Sequence, residues 1–269
     1  MGDGSNGIFR QVVIVALPGL GAGAQPDAAD YHDRGASTLA HVATYAGGVD
    51  LTNLAWLGLG NVVPMRSVAP ASPPAASVAR AARATSGREV RGGLLELVGG
   101  AVRAVAASDV DVHAIGAAAH ALIDVPGVEP HELGPREALV DSVVATMRRY
   151  PRGVLVACPE EGRGLTGSGP IGLARALSRF DASLSMLLDQ LAEETLLIIA
   201  GLGGSDTTIA TGAGPTREYA PVLAYSAAVP SGVQLGTRLT LADVGATAAD
   251  VFGVAAGAPG RSFLAELLV

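Results

Sequence analysis

Lysine is absent: all 18 basic residues are arginine, which excludes Schiff-base chemistry and a lysine general base. Cys158 is the single cysteine, so there is neither an internal disulfide nor a cysteine-ligated metal cluster. Aromatic residues are scarce, 4% of the chain against 49% hydrophobic, which leaves Ala, Val and Leu to fill the core, with Gly permitting close helix–sheet contact. The formal charge of −7 provides no basic surface and argues against a nucleic-acid partner. No apolar run approaches the roughly 20 residues of a membrane span. The first ten residues, MGDGSNGIFR, lack the charged-then-apolar order of a secretory leader. The expectation is a cytoplasmic chain with no membrane contact.

What is there reads as alternating strands and helices. Apolar runs at 10–17, 110–116, 153–158, 195–201 and 220–226 have the length and β-branched content of buried strands. Helical periodicity covers 37–47, 134–150, 170–194 and 240–253, with Ser37 as an expected N-cap and Gly47 as a stop. The segment 68–87 begins as a proline-rich loop and then reads as helical. The expected fold class is α/β, a mostly parallel central sheet with helices on both faces, formed as a single core domain over 1–269. Catalytic groups in such a sheet lie beyond the C-terminal strand ends, here Pro18–Gly23, Gly116, Cys158–Arg163 and Gly201–Asp206. The first of these is glycine-rich, with Gly19, Gly21 and Gly23 following Pro18. It lacks the third glycine of a dinucleotide fingerprint, since residues 24 and 26 are Ala24 and Pro26. A tight turn is the simpler reading.

Four stretches, PDAADYHDRGASTLAHVA, LTNLAWLGLGNV, TREYAPVLAYS and QLGTRLTLADVGATAADVFGV, resemble the phosphopentomutase family of the alkaline phosphatase superfamily. The resemblance runs in order from about residue 12 to residue 265. It implies a central sheet flanked by helices, two divalent metals, a phosphorylated threonine and a large cap domain. This chain has no length for the cap, and 92–110 is expected to be its remnant. At the positions that carry the family's chemistry the resemblance fails. Leu17-Pro18-Gly19 stands where the family has Leu-Asp-Ser, and Val90 where it has the phosphorylated Thr. Leu94 and Leu95 replace a His and a Trp, leaving Glu96. Ala200-Gly201-Leu202-Gly203 replaces Ala-Asp-His-Gly, and Ala213-Gly214-Pro215 replaces Thr-Asp-His. Val, Pro, Gly and Leu side chains donate no electron pair to a cation. No metal and no other cofactor is therefore expected, and metal-dependent mutase chemistry is not.

The most polar strand end is CPEEGRG at 158–164, where Glu160, Glu161 and Arg163 are candidates for an acid/base pair tuned by a guanidinium. A solvated loop with a surface ion pair is the plainer alternative. Around them, Pro18, Gly19, Arg88, Glu89, Val90, Glu96, His113, Leu202, Asp206 and Pro215 are expected to line the pocket. Of the five histidines, His32, His41, His113, His120 and His131, none matches a family metal position. His113 and His120 flank a strand end, although a core or surface role suits each as well. Arg217, Glu218 and Tyr219 match the family motif and serve either as scaffold or as ligand contact. Two functions follow. One is a repurposed, metal-independent enzyme of isomerase or cyclase type acting on a small, largely apolar metabolite. The other is a non-catalytic scaffold that binds a ligand or a protein, including a second copy of itself.

Overall fold

The computed structural model describes residues 7–134, 138–160, 169–209, 214–257 and 259–269. Eight strands form one sheet: β1 (Gln11–Gly19), β2 (Ser77–Ala81), β3 (Val112–Gly116), β4 (Val128–His131), β5 (Gly153–Cys158), β6 (Thr195–Gly204), β7 (Ala220–Tyr225) and β8 (Gln234–Arg238). Their order is β4-β3-β5-β1-β6-β7-β2-β8. Every neighbouring pair is parallel except those made by β7, which runs antiparallel to β6 and β2. The helices are α1 (Thr38–Tyr45), α2 (Thr52–Leu57), α3 (Leu59–Val62), α4 (Val90–Leu94), α5 (Gly100–Ala106), α6 (Ala117–Ala121), α7 (Leu139–Arg149), α8 (Gly169–Asp189), α9 (Ala242–Val251) and α10 (Leu264–Leu267).

The alternation along β1 explains the layering. Val12, Ile14 and Ala16 face one core with residues of α4–α6, α9 and α10, while Val13, Val15 and Leu17 face a second core with α1–α3, α7 and α8. Both faces being covered, β1 carries no polar alternation and reads as a continuous apolar run. Burying each Val, Leu or Ile here contributes about 1.5–3 kcal/mol. Phe263 is the one aromatic among the largest fully buried side chains. No helix among the described residues is long and apolar enough to cross a membrane.

One part of the chain departs from the sequence reading. The alanine-rich end of 68–87 is not helical. Residues 77–81 form β2, wedged between β7 and β8, because its small side chains suit a strand buried on both flanks better than their helix propensity suggests. The segment 92–110 is largely a packed helix: α4 continues through a π-helical stretch, Leu95–Gly99, into α5. Leu94, Leu97, Val98, Val102 and Val105 bury against the α9 side of the sheet.

Candidate functional site

The glycine-rich loop after β1 closes around a carboxylate of the protein itself. Glu218 is 1% exposed and sits between the loop and the end of β6. Its carboxylate accepts from the Thr38 amide (2.9 Å), the Thr38 hydroxyl (2.6 Å), the Thr216 hydroxyl (2.6 Å) and the Gly23 amide (3.3 Å). A Cβ on Gly21 or Gly204 would collide with that carboxylate, so both glycines are fixed by close approach. Burial pushes the Glu218 carboxyl above its ordinary pKa, against the pull of the Thr216 and Thr38 hydrogen bonds. Asp206 does the same for the neighbouring residues. It accepts from the Ser37 amide (2.9 Å) and the Thr208 hydroxyl (2.6 Å), and lies 2.6 Å from His41 Nδ1. Burial works to raise its pKa, but hydrogen bonds from Thr208, Ser37 and His41 prevail and hold it low. Together the two acids satisfy the first amides of α1. The Ser37 side chain makes no cap hydrogen bond; distant carboxylates do that work.

The rest of the motif is similarly occupied. Arg217 is 4% exposed and binds Asp27 (2.8 Å) and the carbonyls of Arg83, Thr85 and Gly87. Glu96 accepts from the amides of Ala84, Thr85 and Leu241 and the hydroxyls of Thr85 and Thr240. Burial would raise its pKa, yet these donors, Thr85 foremost, lower it. Arg88 pairs with buried Asp33 (3.0 Å), and Glu89 is largely exposed beside the start of α4. These three expected pocket residues thus face the scaffold or solvent.

An open space remains between α4 and α6, over the ends of β3 and β5. A cleft of about 260 Å³ is lined by Val90, Arg91, Leu94, Ala117, His120, Ala121 and Glu160. Register places Gly116 of β3 beside Cys158 of β5, so the residues that follow each strand converge. His120 Nδ1 and Glu160 Oε2 are 3.6 Å apart, side by side at the rim of the apolar walls. Glu160 and Val90, both expected in the site, are therefore brought together; Glu161 and Arg163 lie outside the described residues. Pro18 and Gly19 end β1, buried, and Leu202 is buried in β6, while Pro215 is half-buried before Thr216. A larger groove of about 510 Å³, near Asp50, Arg175 and Arg179 of α8, lies away from the strand ends and holds no such acid/base pair.

His113 is not in the cleft. It belongs to the first half of β3 and points to the α7 face, where its ring stacks on Tyr150 with centroids 3.8 Å apart. Burial lowers its pKa, with Glu129 opposing and His131 assisting. Of the two histidines that flank the β3 strand end in the sequence, it is His120 that meets Glu160. Each rim residue follows its own strand, and only the adjacency of β3 and β5 pairs them; strand order is not written in local sequence.

Several described strand-end positions carry no group able to hold a divalent cation, and the carboxylates Asp206 and Glu218 beside them are engaged by protein donors. Pro18, Gly19, Val90, Leu94, Leu95, Gly201, Leu202 and Gly203 bear no donor side chain, and Glu96 is committed to five protein donors. Among the described residues, three ligand-type side chains converge within 4.8 Å only at His113, Glu129 and His131, on the opposite flank.

Strand order, layering and a polar site at the strand ends define an alkaline-phosphatase-like α/β fold. Residues 169–256 match the model of the Metalloenzyme superfamily, and the chain has phosphopentomutases as homologues. It is 25% identical over 390 residues to the phosphopentomutase of Symbiobacterium thermophilum, an alignment covering 96% of this chain and 98% of that protein. Since this chain has 269 residues, the relative carries a long stretch with no counterpart here. Against the phosphopentomutase of Caldanaerobacter subterraneus subsp. tengcongensis, identity reaches 47% over 96 residues, 36% of this chain and 24% of that one. Among solved structures, the PH0037 protein of Pyrococcus horikoshii superposes with a TM-score of 0.61 at 11% identity, covering 95% of this chain and 99% of that one. An alkaline phosphatase superfamily protein of Vibrio parahaemolyticus gives 0.54 at 13% identity, covering 94% and 68%.

Proposed function

We propose that this protein is a metal-independent enzyme of isomerase or cyclase type, acting on a small, largely apolar metabolite in the cleft between α4 and α6. The observation that carries the reading is the His120–Glu160 pair, 3.6 Å apart, at the rim of a cleft walled by Val90, Leu94, Ala117 and Ala121. An imidazole and a carboxylate on one rim supply a proton donor and a proton acceptor, which is enough to move a proton between two positions of a bound substrate. The apolar walls exclude water and fix orientation. Arg91 adds one fixed positive charge to the lining, suited to a carbonyl or carboxylate end. The volume of about 260 Å³ sits at the lower end of small-molecule sites and suits a compact molecule. Support for metal independence comes from Pro18, Gly19, Val90, Leu94, Leu95, Gly201, Leu202 and Gly203, which offer no oxygen or nitrogen side-chain donor to a two-metal centre.

Small carbonyl and olefinic metabolites would be screened by ligand-detected NMR and for turnover. Glu160→Gln is expected to lower turnover about 100-fold, and Val90→Trp to abolish binding by filling the cleft. Turnover unchanged in both variants would remove the proposal. Binding to the wild-type chain without turnover would favour the scaffold alternative.

A further inference from the structure

At the free edge of the sheet, on the face opposite the cleft, β4 pairs in parallel with β3. The register sets His113 opposite Glu129 and Ile115 opposite His131. Glu129 and His131 are two apart on one strand, so their side chains share the face on which His113 lies. His113 Nδ1 is 3.1 Å from His131 Nε2 and 3.5 Å from Glu129 Oε2.

We propose that His113, Glu129 and His131 form a binding site for a single divalent transition-metal ion, best matched by zinc. Two imidazoles and one carboxylate are the donor set of open, three-ligand zinc sites. Tetrahedral ligands held at about 2.0–2.1 Å from zinc stand about 3.3 Å from one another, and the two spacings on His113 Nδ1, 3.1 and 3.5 Å, bracket that value. The surroundings also orient the donors. Tyr150 stacks on the His113 ring and its hydroxyl donates to Glu129 Oε1 at 3.3 Å, leaving Oε2 turned towards the histidines. His113 is 4% exposed, and its Nε2 is buried without a hydrogen-bond partner, so Nδ1 is its working atom. Glu129 is about half exposed, which opens a fourth position to water or an outside ligand. On binding, the proton shared between His113 Nδ1 and His131 Nε2 leaves that line, and each ring carries its proton on the other nitrogen. The site is independent of the strand-end chemistry, so a failure here leaves the proposed function standing, and the reverse holds.

The test uses the full, tag-free chain. Titration with Co²⁺ should give visible d–d bands of a four-coordinate ion that saturate at one equivalent, and Zn²⁺ should displace them. Zn²⁺ should also raise Tm. His131→Ala and Glu129→Gln lie at an exposed edge and should leave the fold intact while weakening Co²⁺ binding at least 100-fold and removing the Zn²⁺ shift in Tm. Tyr150→Phe should weaken binding about tenfold. Absent bands in the wild-type chain, or bands that persist unchanged in His131→Ala, would overturn the site.

Discussion

The Glu218 region and the α4–α6 cleft lie at the same end of one sheet and differ in nearly every physical respect. Around Glu218, Asp206, Arg217 and Glu96, the polar side chains are densely hydrogen-bonded to backbone and hydroxyl groups, and close approach fixes the glycines. In the cleft, His120 and Glu160 lie 3.6 Å apart beside apolar walls and an open space. The motifs through which the sequence resembles phosphopentomutases therefore hold the frame, whereas the cleft keeps side chains that line an open space. Similarity of sequence here reports on architecture.

Substitutions sharpen that contrast. Glu218→Ala should cost the most, about 3 kcal/mol or more in chemical denaturation, since it strands several buried donors. A loss below about 1 kcal/mol would deny Glu218 its anchoring role. Gly204→Ala should cost about 1–3 kcal/mol by forcing a methyl against the same carboxylate. Glu96→Gln should cost about 1–3 kcal/mol near neutral pH, measured by urea unfolding. The Glu96 pKa is lower in the folded chain than in the unfolded one. Its contribution is thus present above the ordinary carboxylate range and lost as pH falls through the folded value. The variant should show a correspondingly weaker acid dependence of stability than the wild-type chain. Glu160→Gln should be the smallest in stability, within about 0.5 kcal/mol, while its effect on turnover is large; a large loss of stability would make the cleft another piece of frame.

Much of the architecture was legible in the sequence because buried parallel strands announce themselves as apolar runs. β1, β3, β5, β6 and β7 were placed within a few residues. β4 and β8 were missed because edge strands carry polar residues such as Glu129 and Gln234 and lose the signal. β2 was misread because Ala favours helices until flanking strands claim it. At the site, Glu160 and Val90 were legible from strand ends and family positions. His120 required the β3–β5 adjacency, and Arg88 and Glu96 required knowing which side chains the scaffold had already engaged.

The central claim is that the strand-end face works without a metal pair. Metal analysis of the His131→Ala chain, after exposure to manganese and zinc and removal of free ions, tests it most directly, because the edge site cannot then contribute. The expected result is no metal in stoichiometric amount and no interconversion of ribose phosphates. Two ions per chain, with mutase activity, would contradict it.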